Sequence, residues 1–99
     1  MLDRTYTHDI GPEMDGEEVA VAGWAHEIRD LGGLTFVILR DREGQIQATF
    51  KADENEELFN KAQDIGKEDV VWIRGKVKAN EQAPGDRELM PEEMDIISN

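Results

Sequence analysis

Cysteine is absent from the sequence, aromatic residues are few, and no long apolar run occurs. Without cysteine there is no disulfide framework and no thiolate metal site. No segment approaches the roughly 20 apolar residues that a membrane-spanning helix needs. The N-terminus has no basic segment followed by an apolar one, so we expect no signal peptide. Residues 1–99 are therefore expected to form one domain with no membrane association, in the cytoplasm by default.

Basic residues are also scarce: 11 of them face 23 acidic residues, which makes the formal net charge −12. A charge this negative repels polyanions at long range, so composition alone argues against a nucleic-acid partner. Three explanations remain open: adaptation to high intracellular salt, an acidity introduced for solubility, or a basic partner. Only five of the basic residues are lysine, which favours the halophilic explanation.

The hydrophobic pattern predicts three strands, one helix and two further strands. Gly23 is predicted to lie at a bend or bulge and Gly75 at a second bulge, and Gly44 is predicted to take a left-handed turn conformation. The fifth strand contains Pro91, which favours an edge position. The predicted strands cover residues 17–29, 34–41, 45–51, 68–79 and 87–98, and a helix of about three turns, capped at Asp53 or Asn55, lies between the third and fourth.

This order of elements is the arrangement of an OB-fold, an all-β five-stranded barrel with its helix between strands 3 and 4. A small β-sandwich or another α+β domain would accept the same elements. OB-folds bind oligonucleotides and oligosaccharides on their second and third strands and the flanking loops. We therefore look for binding residues on those two strands.

The third predicted strand separates an apolar face from a polar one that carries Gln45, Gln47 and Thr49. The second strand has too many consecutive apolar residues for its own alternation to assign its faces. If Phe36 shares the polar face, it is an exposed aromatic able to stack on a base for about 1–3 kcal/mol. If it lies on the other face, it is a core residue, as most strand phenylalanines are.

Arg29 and Gln47 are further candidates for binding. Arg29 ends the first strand beside a glycine loop, and Gln47 carries a donor and an acceptor on one amide, which suits the edge of a base. Taken singly, an arginine or a glutamine at such a position is more often an ordinary surface residue. His8 and His26 have no carboxylate at ligand spacing, so we expect no metal site. We identify no catalytic residues, since no phosphate loop, nucleophile elbow or Ser/His/Asp set is present.

The stretch "VAGWAHEIRDLGGLTFVILRDREGQIQATF" resembles the N-terminal anticodon-binding domain of aspartyl-tRNA synthetases, especially the archaeal type. The resemblance extends over the whole chain. It implies an OB-fold whose partner is a tRNA anticodon loop. It also implies that Phe36 stacks on the central anticodon uridine, that Gln47 reads that base, and that Arg29 lies near the same bases.

Two positions bear on which tRNA is accepted. Family members restricted to the aspartate tRNA tend to carry tryptophan and lysine where this sequence has His26 and Pro84. The combination is similar to that of the relaxed enzymes, which charge both aspartate and asparagine tRNAs. The resemblance therefore implies recognition of both.

The same resemblance implies what this chain does not do. In the family, the ATP, magnesium and aspartate sites lie in a separate catalytic domain that is absent here, so this chain needs no cofactor and is no enzyme by itself. The implied parent is a homodimer and the isolated domain a monomer. Two alternatives remain: an engineered acidic OB-fold scaffold that does not bind RNA, and a general binder of single-stranded nucleic acid.

Overall fold

Residues 5–97 are described by a computed structural model, and they form a closed barrel of five strands with one α-helix. The order around the barrel is β1-β2-β3-β5-β4, and α1 lies between β3 and β4 in the sequence. The predicted OB-fold is thus confirmed, and the β-sandwich alternative is wrong. The elements are β1 (Glu18–Asp30), β2 (Leu34–Asp41), β3 (Gly44–Lys51), α1 (Glu56–Ala62), β4 (Val70–Ala79) and β5 (Arg87–Ile96), with short 3-10 helices at Thr7–Asp9, Pro12–Met14 and Pro84–Asp86.

The barrel interior is filled by alternate residues of the strands. On β2 the inward positions are completely or almost completely buried, whereas the positions between them are half-buried or exposed. Across the barrel, the largest fully buried apolar side chains are Leu39, Ile46, Ile73, Leu89 and Met94. Burial of each contributes about 1.5–3 kcal/mol relative to exposure. The alternation leaves every second residue of β2 and β3 on the outer face, where all of them except the buried Thr49 are at least partly exposed.

Helix α1 closes one end of the barrel and is shorter than predicted. It begins after Asn55, whose side chain accepts a hydrogen bond from Leu58 N at 3.0 Å. It has seven residues, about two turns. Beyond Ala62 the backbone continues in tighter turns with bonds to the third residue back, for example from the Ile65 amide to Ala62. Ile65 is still buried there, so the apolar pattern extends past the end of the helix.

The strand irregularities differ in part from the prediction. In the pairing of β1 with β2, Ala25 faces Leu39 and Glu27 faces Ile38, which leaves His26 as the extra residue of a β-bulge. Gly23, the predicted bend or bulge, instead allows a close approach: a Cβ there would clash with the backbone oxygen of Arg40 on β2. The β4–β5 register shifts beside Gly75, but the extra residue is Glu92 on β5, so the prediction located this bulge and assigned it to the wrong strand.

Two local predictions are wrong. Gly44 is not among the residues with positive φ in the described chain. The carboxylate of Asp41 instead holds the turn, because it accepts hydrogen bonds from the amides of Glu43 and Gly44.

Pro91 does not mark an edge strand, because β5 pairs with both β3 and β4. Proline is tolerated at the β4–β5 bulge, beyond the last β3 pair at Leu89. Ser98, predicted to end this strand, lies outside the described residues.

No helix formed by residues 5–97 is long and apolar enough to cross a membrane.

Candidate functional site

A cavity of about 550 Å³ opens on the outer face of β2 and β3, beside the end of β1 and the loop after β4. All five predicted binding residues, His26, Arg29, Phe36, Gln47 and Pro84, line it. Their roles in binding remain predictions, but the fold brings them together from four separate segments. The remaining lining residues are Glu27, Ile38, Gln45, Asn80 and Gln82.

The floor of the cavity is apolar and comes from β2. Phe36 pairs with Thr49 and Ile38 pairs with Gln47 across the β2–β3 ladder. Both apolar side chains are half-buried, whereas Phe50, on the other face of β3, is only 2% exposed. The polar face of β3 is therefore continuous with the accessible side of β2, and Phe36 lies on that side. A half-buried phenylalanine on a rigid strand offers a planar surface on which a base can stack.

A chain of hydrogen bonds connects Gln47 on β3 to β5 and to the loop after β4. The Gln47 amide nitrogen donates to Thr49 Oγ1 at 3.4 Å, and the Thr49 hydroxyl donates to the carboxylate of Glu88 on β5. The Asn80 amide donates to the other oxygen of that carboxylate at 2.8 Å. The buried Glu88 thus has two donors, which offsets the loss of its hydration. The network orients the Gln47 and Asn80 amides at the cavity wall.

The bulge at His26 determines which β1 side chains face the cavity. A bulge adds one residue and re-aims the side chains next to it. Here His26, Glu27 and Arg29 all line the cavity. Arg29 Nε lies 2.6 Å from Glu27 Oε2, and their side chains are 69% and 46% exposed. An ion pair this exposed contributes little to the stability of the fold.

The loop that carries Pro84 is held in place by Arg87, a buried residue at the start of β5. Its guanidinium donates to the carbonyl oxygens of Pro84, Gln45, Thr7 and Ile10 at 2.8–3.0 Å. Burial lowers the pKa of Arg87, while the charge of Asp41 acts in the opposite direction. One side chain therefore fixes two cavity-lining residues, Pro84 and Gln45, relative to each other.

Sequence reasoning missed several of these residues. The alternation of β2 could have placed Ile38 beside Phe36, and Glu27 is two residues from Arg29 on the same strand. No local pattern predicts that Glu88 bonds to Asn80 and Thr49, because Thr49 lies 39 residues before Glu88 in the sequence. Residues 5–97 contain no group of three or more His, Asp or Glu side chains placed to hold a metal ion. What the cavity offers is stacking and hydrogen bonding.

Comparison with known proteins agrees with this geometry. Residues 19–97 match the family model of the OB-fold nucleic acid binding domain of the tRNA anti-codon type. The chain is 50% identical over 99 residues to the aspartate–tRNA(Asp/Asn) ligase of Methanopyrus kandleri and 53% identical over 94 residues to that of Methanococcus maripaludis. It covers 99% and 94% of its own length in these matches but only 23% and 22% of the two relatives.

Solved structures agree with the comparison of sequences. The asparaginyl-tRNA synthetase of Pyrococcus horikoshii, complexed with asparaginyl-adenylate, superimposes with a TM-score of 0.91 at 36% identity, over 99% of this chain and 23% of that one. An OBody bound to hen egg-white lysozyme superimposes with a TM-score of 0.92 at 31% identity, over 100% of this chain and 97% of that one. The chain belongs to the tRNA anti-codon family of OB-fold nucleic acid binding domains, the domain found in archaeal aspartate–tRNA ligases.

Proposed function

We propose that residues 1–99 act as the anticodon-binding module of an aspartate–tRNA ligase that accepts both aspartate and asparagine tRNAs. The observation that carries this proposal is the single cavity lined by His26, Arg29, Phe36, Gln47 and Pro84. The relatives named aspartate–tRNA(Asp/Asn) ligases support the dual acceptance. The chain spans about a quarter of their length, and we propose that the ATP and magnesium chemistry belongs to the rest of such a protein.

In this mode of binding, Phe36 stacks on the central base of the anticodon and Gln47 hydrogen-bonds its edge. One N–H of the Gln47 amide already donates to Thr49, which leaves the second N–H and the oxygen available for a base. Arg29 adds a positive charge at the cavity rim for a phosphate or a base oxygen. Since the net charge of the whole domain is −12, these contacts work against long-range repulsion.

The test is a binding titration with the anticodon stem-loop of the aspartate tRNA, repeated at several salt concentrations. We expect saturable binding that an unstructured RNA of the same length does not match. Equal affinity for the two RNAs would make the domain a general binder of single strands. Absence of binding to both at low salt would overturn the proposal.

A protein-binding scaffold is the second candidate function. It is favoured by the OBody bound to lysozyme, which this chain matches over nearly all of both lengths. In that case the same barrel face would bind a protein, and the acidity of the domain would suit a basic one. Failure of the stem-loop titration together with saturable binding to a basic protein would support this candidate.

A further inference from the structure

The cavity that is proposed to bind RNA contains an acidic side chain in contact with its only arginine. Among the cavity-lining residues that the structure describes, Glu27 and Arg29 are the only Asp, Glu, Lys or Arg side chains. Their charges cancel, because Arg29 Nε lies 2.6 Å from Glu27 Oε2. The carboxylate and the guanidinium together give this cavity no net charge with which to attract a polyanion. It nevertheless contains a guanidinium, a group suited to binding RNA.

Local geometry explains why the two side chains meet. They are two residues apart on β1, so both project from the same face of the strand. They follow the bulge at His26, which turns this end of β1 toward the cavity. Arg29 makes no other ion pair with the described residues. In the free domain, then, Glu27 is the acidic partner of the guanidinium among the described residues.

We propose that Glu27 is a positioning residue that competes with RNA for Arg29 and thereby lowers affinity for polyanions; this inference rests on the proposed function. A phosphate or base oxygen can bind the guanidinium through Nε only if the carboxylate gives up its place. The exchange is feasible because both side chains are largely exposed, and exposed pairs are weak. After the exchange the Glu27 carboxylate remains close to the RNA and repels its phosphates.

The consequence is selectivity by weakened electrostatics. A neutral cavity on an acidic domain attracts RNA little from a distance, so binding depends on stacking and hydrogen bonds at the correct bases. Removal of the Glu27 charge frees Arg29 to act as one additional cation. For single-stranded nucleic acid, each neutralised phosphate adds about 0.7 to the slope of log affinity against log salt.

The experiment measures the affinity of wild type and Glu27→Gln for the anticodon stem-loop of the aspartate tRNA between about 50 and 200 mM salt. We expect Glu27→Gln to bind about two- to five-fold more tightly at the lowest salt, as the small energy of an exposed pair allows. We also expect its salt dependence to be steeper by up to about 0.7. A purely structural role for Glu27 would not change that slope.

Glu54→Gln is the matched control. Glu54 forms an ion pair with Lys51 at 3.6 Å outside the cavity, and its substitution changes the net charge by the same amount. We expect this variant to bind like wild type. Arg29→Gln and the double variant Glu27→Gln, Arg29→Gln complete the cycle: without Arg29, the gain from Glu27→Gln should largely disappear.

Three results would overturn the inference. If Glu27→Gln binds like Glu54→Gln, the competition does not exist, although the proposed function stands. If Glu27→Gln binds more weakly than wild type, Glu27 is itself a ligand for an RNA donor such as a base amino group. If wild type and Glu27→Gln both fail to bind at low salt, the proposed function fails, and the inference fails with it.

Discussion

Phe36 and Phe50 lie on adjacent paired strands but have opposite environments. Phe36 is half-buried at the floor of the cavity, and Phe50 is 2% exposed inside the barrel. Phe36 and Phe50 therefore allow the proposed binding role of one phenylalanine to be tested against the folding role of the other. The same cavity holds His26 and Pro84, for which we propose a part in the choice between tRNAs.

Replacement of Phe36 by alanine should weaken binding to the anticodon stem-loop by about 1–3 kcal/mol, because a stacking surface is lost. The melting temperature should change little, since the side chain lies outside the core. Titration and thermal unfolding measured on the same sample check both parts.

Phe50→Ala is the control for this prediction. It removes a buried ring and should destabilise the fold by about 3–5 kcal/mol. A comparable loss of stability in Phe36→Ala would show that Phe36 is a core residue and would contradict the stacking role.

Wild type should bind stem-loops that end the anticodon in C or in U with affinities within about 1 kcal/mol of each other, less than one good base contact. His26 is smaller than tryptophan and can donate or accept, and Pro84 has no ammonium group. The double change His26→Trp, Pro84→Lys should create a preference for C, measured by parallel titrations.

The lysine at position 84 need not disturb the loop, because Arg87 bonds the backbone carbonyl of that residue. The two single variants test whether both changes are required. A wild-type preference for C of tenfold, about 1.4 kcal/mol, would contradict dual acceptance.

Among the elements, the β2–β3 hairpin depends most visibly on one carboxylate. Asp41, 8% exposed, accepts hydrogen bonds from Thr7 N and Oγ1 and from the amides of Glu43 and Gly44, at 2.8–2.9 Å. Burial acts to raise the pKa of Asp41, but these four bonds outweigh it, and the net pKa lies below the ordinary value of 3.8. The hairpin and the segment that precedes β1 are thus joined by a charged group.

Asp41→Asn should lower the free energy of unfolding at neutral pH by about 1–3 kcal/mol, since bonds to a charged acceptor are lost. Because the pKa of Asp41 is lower in the folded state, its ionised carboxylate stabilises the fold fully above pH 3.8. This stabilisation is lost as the pH falls through the lowered pKa. The difference in melting temperature between wild type and variant should therefore shrink below about pH 4.

Asp53→Asn removes the same charge from an exposed position and serves as the control for Asp41. Its melting temperature should follow wild type closely at neutral pH. A constant difference between wild type and Asp41→Asn from pH 7 to pH 2 would mean that the carboxylate charge is not what holds the hairpin.

For the whole molecule, the net charge of −12 opposes compaction. Attractive pairs offset part of it: Arg74 contacts Glu18, Glu92 and Glu93 on the barrel surface, and these acids raise its pKa, the hydrogen bond to Glu93 most. Such exposed pairs are individually weak. Repulsion among the remaining acids should therefore dominate the response to salt.

The melting temperature should rise clearly from low salt to 1 M NaCl, where the Debye length falls to about 3 Å. Thermal unfolding followed by circular dichroism across the salt series checks this. Flat behaviour would remove the salt-adaptation explanation of the acidity and favour an acidity introduced for solubility.

A variant with three exposed acids neutralised, Glu13→Gln, Glu17→Gln and Asp64→Asn, carries a net charge of −9 and tests the cause. It should be more stable than wild type at low salt and respond less to NaCl. An equal rise in both proteins would indicate a general salt effect on apolar burial rather than screening.

The sequence by itself determined the succession of strands and helix along the chain and the polar face of β3, because periods of two and 3.6 residues are local properties of the chain. The face on which Phe36 lies stayed open at that level, because it depends on the register between β2 and β3. The cavity's composition was partly accessible in the same way, through residues that alternate along one strand.

Only the tertiary structure decided what depends on partners distant in sequence. The bulge fell at His26 rather than Gly23 because register is set between strands, and a Cβ at Gly23 would meet the backbone of β2. The attachment of the Asp41 turn to the segment before β1 depends on bonds to Thr7, 34 residues away. Arg87 and Glu88 are buried because carbonyls and amides from other segments surround them. Hydrogen bonds and packing across the barrel have no period along the chain, so no local sequence pattern predicts them.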